Sequence, residues 1–109
     1  MSTWPFPKRT KRIEVTQADI DTGTPARGDD CPVKRAIRRV VIPEVVVTVS
    51  PLSAYLKMAG PTPRRIVIWL PREVADFIQA FDHRENPSPI EFDLDLPTEA
   101  LRPEEQPQP

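Results

Sequence analysis

The sequence predicts an α+β fold, in which a four- to five-stranded, mostly antiparallel sheet carries two short helices on one face. Three observations lead to this prediction. Proline makes up 15 of the 109 residues, and because proline fixes φ and lacks a backbone N–H, it excludes long helices and coiled coils. Short stretches with helical periodicity alternate with stretches of period two. The 39% hydrophobic content is enough for one modest core.

The composition divides the chain into an arm, one domain and a tail. Residues 1–10 are basic and aromatic and contain two prolines, which is typical of an arm that is flexible or lies on a neighbouring molecule. Residues 11–97 form the α+β domain. Residues 98–109 are polar, acidic and rich in proline, and we expect this tail to be disordered.

The first half of the domain begins with a short strand and two helices. Residues 11–16 alternate polar and apolar side chains, as in a half-buried strand. Thr16, with Asp19 three residues later, forms a capping-box pattern that predicts one helical turn. Pro32 suits the first position of a second helix over residues 32–39, because the N–H that proline lacks would have no helical partner there.

The middle of the chain is rich in β-branched residues. The stretch 40–49 predicts a strand that Pro43 interrupts, which indicates a sheet edge or a bulge. Residues 52–58 fit a partner strand better than a short helix. The stretch 64–70 is apolar on both faces, so we expect it in the centre of the sheet or with its second face against another subunit.

The last two elements have the clearest patterns. Apolar residues spaced by three and four predict a helix over 71–82. Residues 90–96 alternate apolar and acidic side chains, which predicts a strand with one exposed acidic face. The strand over 64–70 followed by Leu-Pro-Arg-Glu-Val also resembles the start of a ribbon-helix-helix DNA-binding protein, but the resemblance ends at residues 90–96, where a strand takes the place of the second helix of that fold.

Charge is balanced overall but unevenly distributed. The net charge is −1, which argues against a general nucleic-acid binder or a polybasic membrane binder. Residues 1–40 carry a net charge of +4 and the remainder −5. These two regions either attract each other, within a chain or between chains, or form separate solvated faces. No apolar stretch is long enough for a membrane span, so we expect a cytoplasmic protein.

Residues for catalysis or for binding a metal are sparse. Cys31 is the only cysteine and His83 the only histidine, which excludes an intrachain disulfide and a Cys/His metal cluster. His83 fits a solvated helix end, and Cys31 fits a packing or capping position before a helix. We therefore predict no enzymatic activity, no metal and no cofactor.

The arginines are the strongest candidates for a binding site. Arginine outnumbers lysine by eleven to four, and its guanidinium group binds phosphate through two parallel hydrogen bonds. If the pairs Arg38/Arg39 and Arg64/Arg65 converge, they form an anion pocket, for which a nucleotide is the natural ligand. Trp69 or Tyr55 would then stack on the base. The alternative is that these arginines form surface salt bridges with the acidic strand.

Two stretches of the chain resemble a group of small, uncharacterised proteins encoded by bacteriophages and prophages. The first runs Val-Thr-Gln-Ala-Asp-Ile-Asp-Thr-Gly over 15–23 and continues with Cys-Pro-Val-Lys-Arg-Ala-Ile-Arg over 31–38. The second is Leu-Pro-Arg-Glu-Val-Ala-Asp-Phe-Ile-Gln-Ala-Phe-Asp over 70–82. The resemblance covers roughly residues 12–97. The turn after Asp82 departs from the Gly-x-x-Val-x-Pro-Phe of that group.

The resemblance implies a viral accessory protein, and three functions follow as hypotheses. The first is a homo-oligomeric, non-enzymatic protein that binds an anionic ligand, such as a nucleotide signal of host immunity. The second is a protein-protein inhibitor or structural adaptor. The third is a DNA-binding regulator that resembles ribbon-helix-helix proteins. In every case we expect the host cytoplasm as the location.

Overall fold

The computed structural model describes residues 8–23, 31–58 and 64–103, and these residues form an α+β fold, as predicted. The elements in chain order are β1 (Lys8–Val15), α1 (Gln17–Thr22), α2 (Pro32–Arg38), β2 (Val46–Val49), β3 (Ser53–Met58), β4 (Arg64–Trp69), α3 (Arg72–Asp82) and β5 (Ile90–Pro97). A short 3₁₀ helix (Thr98–Ala100) follows β5. No helix within these ranges is long and apolar enough to cross a membrane.

The strands form two antiparallel sheets, where a single sheet was predicted. β1 pairs with β5, and the second sheet has the order β2-β3-β4. Alternating apolar residues of both sheets enter one core, together with the apolar faces of α2 and α3. α2 packs against β1 and against β2, so it connects the two sheets. The periodicity identified the approximate positions of the strands but carried no information about which strands pair.

Basic side chains of β1 form ion pairs with acidic side chains of β5. Lys8 lies 3.8 Å from Asp95, and Arg12 lies 3.2 Å from Glu91 and 3.4 Å from Asp93. The basic front and the acidic rear therefore attract each other inside one chain. The acidic strand is partnered by β1, whereas the sequence had suggested arginines further along the chain as its partners.

The domain extends beyond both predicted boundaries. Residues 8–10, assigned to the arm, pair with residues 95–97 of β5, because the ladder continues as long as both strands can extend. Residues 98–103, assigned to a disordered tail, are ordered: Leu101 is fully buried and forms a β-bridge with Val41. The remaining parts of the predicted arm and tail, residues 1–7 and 104–109, lie outside the described ranges.

Two elements in the middle of the chain differ from the prediction. The strand expected over residues 40–49 begins only at Val46, because Pro43 lies in a turn. β4 was expected in the centre of the sheet or with its second face against another subunit. Among the described strands it lies at the edge and β3 is central, so the first alternative is wrong and the second stays a prediction. Ile66 and Ile68 face the core, while Val67 and Trp69 are exposed.

Candidate functional site

The exposed face of the β2-β3-β4 sheet has an unusual composition, and we call it the outer face. It comprises the outward residues of the three strands: Val46, Thr48, Tyr55, Lys57, Arg65, Val67 and Trp69. Trp69 keeps 74% of its surface exposed. The five large hydrophobic residues that are exposed in the described part of the chain all belong to this sheet or to its β2–β3 turn. Such a concentration on one face is typical of a binding surface.

The strand registers arrange the outer face in ranks. Lys57 lies between Val46 and Arg65 in one rank. Tyr55 pairs with Val67 in the next rank, and Trp69 lies beyond it opposite Ser53. Since ranks on one face are two residues apart, neighbouring ranks are separated by about 7 Å. The face therefore has a basic end and an aromatic end.

The basic end carries two uncompensated positive charges. Lys57 and Arg65 are direct cross-strand partners, and like charges in this position repel each other. None of the three strands contains an aspartate or a glutamate. Within the described ranges, neither side chain forms an ion pair. Around them the face forms a shallow depression of about 370 Å³, lined also by Val46, Thr48 and Tyr55. An anion bound here would relieve the repulsion.

The structure separates the five residues that the sequence grouped into one site. Arg64 and Arg65 point to opposite sides of β4, because side chains alternate along a strand. Arg64 donates a hydrogen bond to Glu99, whereas Arg65 and Trp69 lie on the outer face. The two arginines of β4 therefore do not share a pocket.

The other arginine pair lies at the end of α2. Arg39 donates two hydrogen bonds to the carboxylate of Asp19, at 2.6 and 2.7 Å, and one to the carbonyl of Glu14 at 2.6 Å. The side chain of Arg39 thus connects β1, α1 and α2 and serves the fold. Arg38 is exposed, and its carbonyl accepts a long, 3.5 Å hydrogen bond from Arg102.

A second concave region lies at the end of α3. It is an open cleft of about 530 Å³, whose lining includes Ile20, Phe81 and Arg84. Arg84 adopts a positive φ of 59°. The N–H of Glu85 donates to Ala80 and that of Arg84 to Phe81, which is the Schellman arrangement that usually ends with glycine. The sequence patterns did not predict this cleft.

The two residues considered for catalysis, Cys31 and His83, lie at the ends of two different helices. Cys31 is buried at the start of α2 and makes no side-chain capping hydrogen bond. His83 ends α3 and is exposed, as expected. Among the residues with described positions, no three His, Cys, Asp or Glu side chains are grouped so that they could hold a metal ion.

Comparison with known proteins adds no family assignment. The chain matches no model of a protein family, and no curated protein or solved structure is significantly similar to it. The outer face is therefore interpreted from its own chemistry. Of its residues, Arg65, Trp69 and Tyr55 were candidates from the sequence, and Lys57 was missed. The alternation in Ser-Ala-Tyr-Leu-Lys-Met over 53–58 places Lys57 on the face of Tyr55 and could have identified it.

Proposed function

We propose that the protein is a non-enzymatic binding protein that holds a nucleotide on the outer face of its three-stranded sheet. The observation that carries this proposal is the Lys57–Arg65 pair, two cations without a carboxylate in their sheet, with the exposed ring of Tyr55 in the adjacent rank and that of Trp69 one rank further on. A phosphate would neutralise the two cations. A base would stack on an aromatic ring, an interaction worth about 1–3 kcal/mol.

The spacing of the face supports a nucleotide over a simple anion. The basic rank of Lys57 and the rank of Tyr55 are adjacent, about 7 Å apart, which one sugar can bridge between a phosphate and a base. Val67, the cross-strand neighbour of Tyr55, provides a flat apolar floor. An inorganic anion would use only the basic end of the face.

The chemistry of the face supports binding without turnover. General acid–base catalysis needs a side chain whose pKa lies near the working pH, most often a histidine or a carboxylate. The three strands contain no histidine and no carboxylate. The polar side-chain groups on the face beyond the two cations are the hydroxyls of Thr48 and Tyr55 and the indole N–H of Trp69. A ligand bound there would be held and released unchanged.

The biological setting of the proposal comes from the sequence resemblance. Small accessory proteins of phages and prophages act inside the host cytoplasm, where a nucleotide signal of host immunity would be the ligand to sequester. A protein with this role needs affinity and abundance but no catalysis, which fits the character of the outer face.

Calorimetry and thermal unfolding with AMP and 3′,5′-cyclic AMP test the proposal, with adenosine and inorganic phosphate as partial ligands. A nucleotide at 100 times its Kd adds about 2.7 kcal/mol to the free energy of unfolding, enough to raise the Tm by about 10 °C in a domain of this size. We expect weaker binding of adenosine and of phosphate than of AMP. The nucleotide should be recovered unaltered after incubation.

Substitutions test whether the nucleotide binds on the outer face. Lys57→Ala and Arg65→Ala should each weaken AMP binding about tenfold, the effect of losing one hydrogen bond to a charged group. Arg9→Ala, an exposed arginine on the other sheet, is the matched control and should bind normally. Arg38→Ala should also bind normally. The absence of a thermal shift with every nucleotide, or an equal loss in Arg9→Ala, would contradict the proposal.

A protein-protein inhibitor or adaptor is the second candidate function. It is favoured by two exposed apolar residues of the same sheet and its β2–β3 turn, Val46 at 53% and Leu52 at 65% exposure. In that case Leu52→Ser should abolish capture of the partner protein, while Lys57→Ala should have little effect. A DNA-binding regulator has less support, because β5 follows α3 where the ribbon-helix-helix fold has its second helix.

A further inference from the structure

β4 has a free edge. Within the described ranges it pairs only with β3, and its six residues contain neither proline nor glycine. Natural sheets protect their edges by keeping the edge strand short or by adding charges and prolines. β2, at the opposite edge, has only four residues and follows the turn at Pro43. β4 has no such protection over residues 66–69, which are all apolar.

The pairing with β3 determines which backbone groups face this edge. The N–H of Leu70 donates to the carbonyl of Leu52 at 3.0 Å, so positions 70 and 52 form a hydrogen-bonded pair. In an antiparallel ladder such pairs alternate with pairs whose backbone groups point away. The N–H and C=O groups of Arg65, Val67 and Trp69 therefore point to the free edge, and the side chains of these three residues lie on the outer face.

A second copy of the chain matches this edge in one register. When a two-fold axis passes midway between the two copies of Val67, each Val67 pairs with the partner's Val67 and each Arg65 with the partner's Trp69. Every free N–H and C=O of the three residues then finds a partner. A shift by two residues in either direction leaves one of the three residues in each chain without a partner. A shift by one residue places outward residues opposite inward ones.

We propose that two copies pair through β4 in this register, and that the partner's Trp69 completes the nucleotide site of each copy. Within one chain Arg65 and Trp69 are four residues apart on β4, about 13 Å. In the pair, the partner's Trp69 lies directly opposite Arg65, about 5.5 Å away between Cα atoms. The rank then reads Lys57, Arg65 and the partner's Trp69, which places two cations beside an indole ring.

The chemistry of the paired residues favours this register. An arginine beside the face of a tryptophan is the strongest combination for a cation–π contact, and the two-fold axis forms the contact twice. Val67 meets its own copy on the axis, an apolar pair that removes exposed surface. The shared site rests on the proposed nucleotide function, whereas the pairing of the edges does not.

Sedimentation velocity of the full chain over a range of concentrations tests the pairing. We expect a dimer, and we expect Val67→Pro to be a monomer. Proline at position 67 removes an N–H that β3 does not use and is tolerated on an edge strand. Val67→Thr keeps the N–H and is the matched control that should remain a dimer. If Val67→Pro does not fold, Val67→Lys, which places two like charges on the axis, replaces it. A monomeric wild-type chain, or a folded Val67→Pro dimer, would overturn the pairing.

A mixing experiment tests whether the site is shared. Arg65→Ala and Trp69→Ala should each bind AMP weakly. In a mixed dimer of the two variants, one site combines the intact Arg65 of one copy with the partner's intact Trp69. Random exchange of equal amounts should restore about a quarter of the sites. Dimers that exchange subunits but regain no binding would overturn the shared site.

The outcomes separate the inference from the proposed function. A wild-type chain that binds AMP as a monomer overturns the shared site and leaves the proposed function intact. A dimer that Val67→Pro dissociates, but that binds neither AMP nor cyclic AMP, supports the paired edge and overturns both the shared site and the proposed function.

Discussion

The contact between Arg39 and Asp19 provides a quantitative test of how the first half of the domain is held together. Asp19 is the buried acid of α1, and it accepts hydrogen bonds from Arg39 and from the N–H of Thr16, the latter at 2.9 Å. Arg39 also donates to the carbonyl of Glu14. Replacing Asp19 by alanine removes an acceptor that β1, α1 and α2 share.

The expected loss of stability is the sum of two effects. Loss of the hydrogen bond from the Thr16 N–H to the Asp19 carboxylate, one of the two bonds of the capping box, costs about 1 kcal/mol. Hydrogen bonds between charged groups contribute about 1.5–3 kcal/mol, but the Arg39 side chain is 47% exposed, so solvent screening reduces this to about 1.5 kcal/mol. Asp19→Ala should therefore lower the free energy of unfolding by about 2.5 kcal/mol. Asp19→Asn, which keeps one acceptor oxygen but loses the charge, should lose about half as much.

Urea denaturation of Asp19→Ala, Arg39→Ala and the double variant measures the coupling between the two side chains. We expect a coupling free energy of about 1.5 kcal/mol. A coupling below about 0.3 kcal/mol would show that the contact contributes nothing beyond its two separate parts, and would refute the interpretation of Arg39 as a structural residue. AMP binding should be unaffected by Arg39→Ala in the fraction that remains folded.

The same carboxylate makes stability depend on pH. Burial alone would raise the pKa of Asp19, but the hydrogen bonds from Arg39 and from the N–H of Thr16 outweigh burial, so the pKa lies below its ordinary value. A carboxyl group whose pKa is lowered by folding stabilises the protein fully above its unfolded-state pKa, and this contribution is lost as the pH falls through the folded-state pKa. Stability should fall more steeply below about pH 4 in the wild type than in Asp19→Asn, as urea midpoints at several pH values would show.

Three further substitutions give expected changes in the free energy of unfolding, each measurable by urea denaturation. Arg84→Gly should stabilise the protein by about 1 kcal/mol, because glycine adopts a positive φ without strain; a loss of stability would mean that the Arg84 side chain makes compensating contacts in the cleft. Leu101→Ala should destabilise by about 2–4 kcal/mol, since Leu101 is fully buried, and a change below about 1 kcal/mol would contradict the ordered C-terminal segment. Trp69→Ser should change stability by less than about 0.5 kcal/mol at a concentration where the chain is monomeric, because the side chain is exposed.

Local patterns predicted the elements well because each depends on neighbouring residues. The capping box of Thr16 and Asp19, the helix start at Pro32 and the alternation of β5 are all present in the structure. Pro43 shows the limit of such reasoning: its pattern predicted an edge or a bulge, whereas the structure has a turn, closed by a 3.1 Å hydrogen bond from the N–H of Val45 to the carbonyl of Ile42.

The division into two sheets and the position of β4 depend on contacts between distant parts of the chain, which periodicity does not encode. For the same reason, the sequence predicted only part of the candidate site. An apolar pattern on both faces of β4 cannot distinguish a central strand from an edge strand with an exposed binding face. Arginine content indicated anion binding, but Arg39 is used by Asp19 and Arg64 by Glu99. Those pairings depend on tertiary geometry. Of the five predicted site residues, only Arg65 and Trp69 therefore lie on the outer face.

The pairing of β1 with β5 also determines when the protein can fold. Thr10 and Asp95 bond across the ladder although 85 residues separate them along the chain. During synthesis β1 therefore leaves the ribosome long before its partner exists, with its apolar residues Ile13 and Val15 unprotected. The four basic residues of β1, Lys8, Arg9, Lys11 and Arg12, disfavour association of the waiting strand with other chains. Closure of the β1–β5 ladder should be late and slow, because contacts of such long sequence separation carry a large loop-closure entropy.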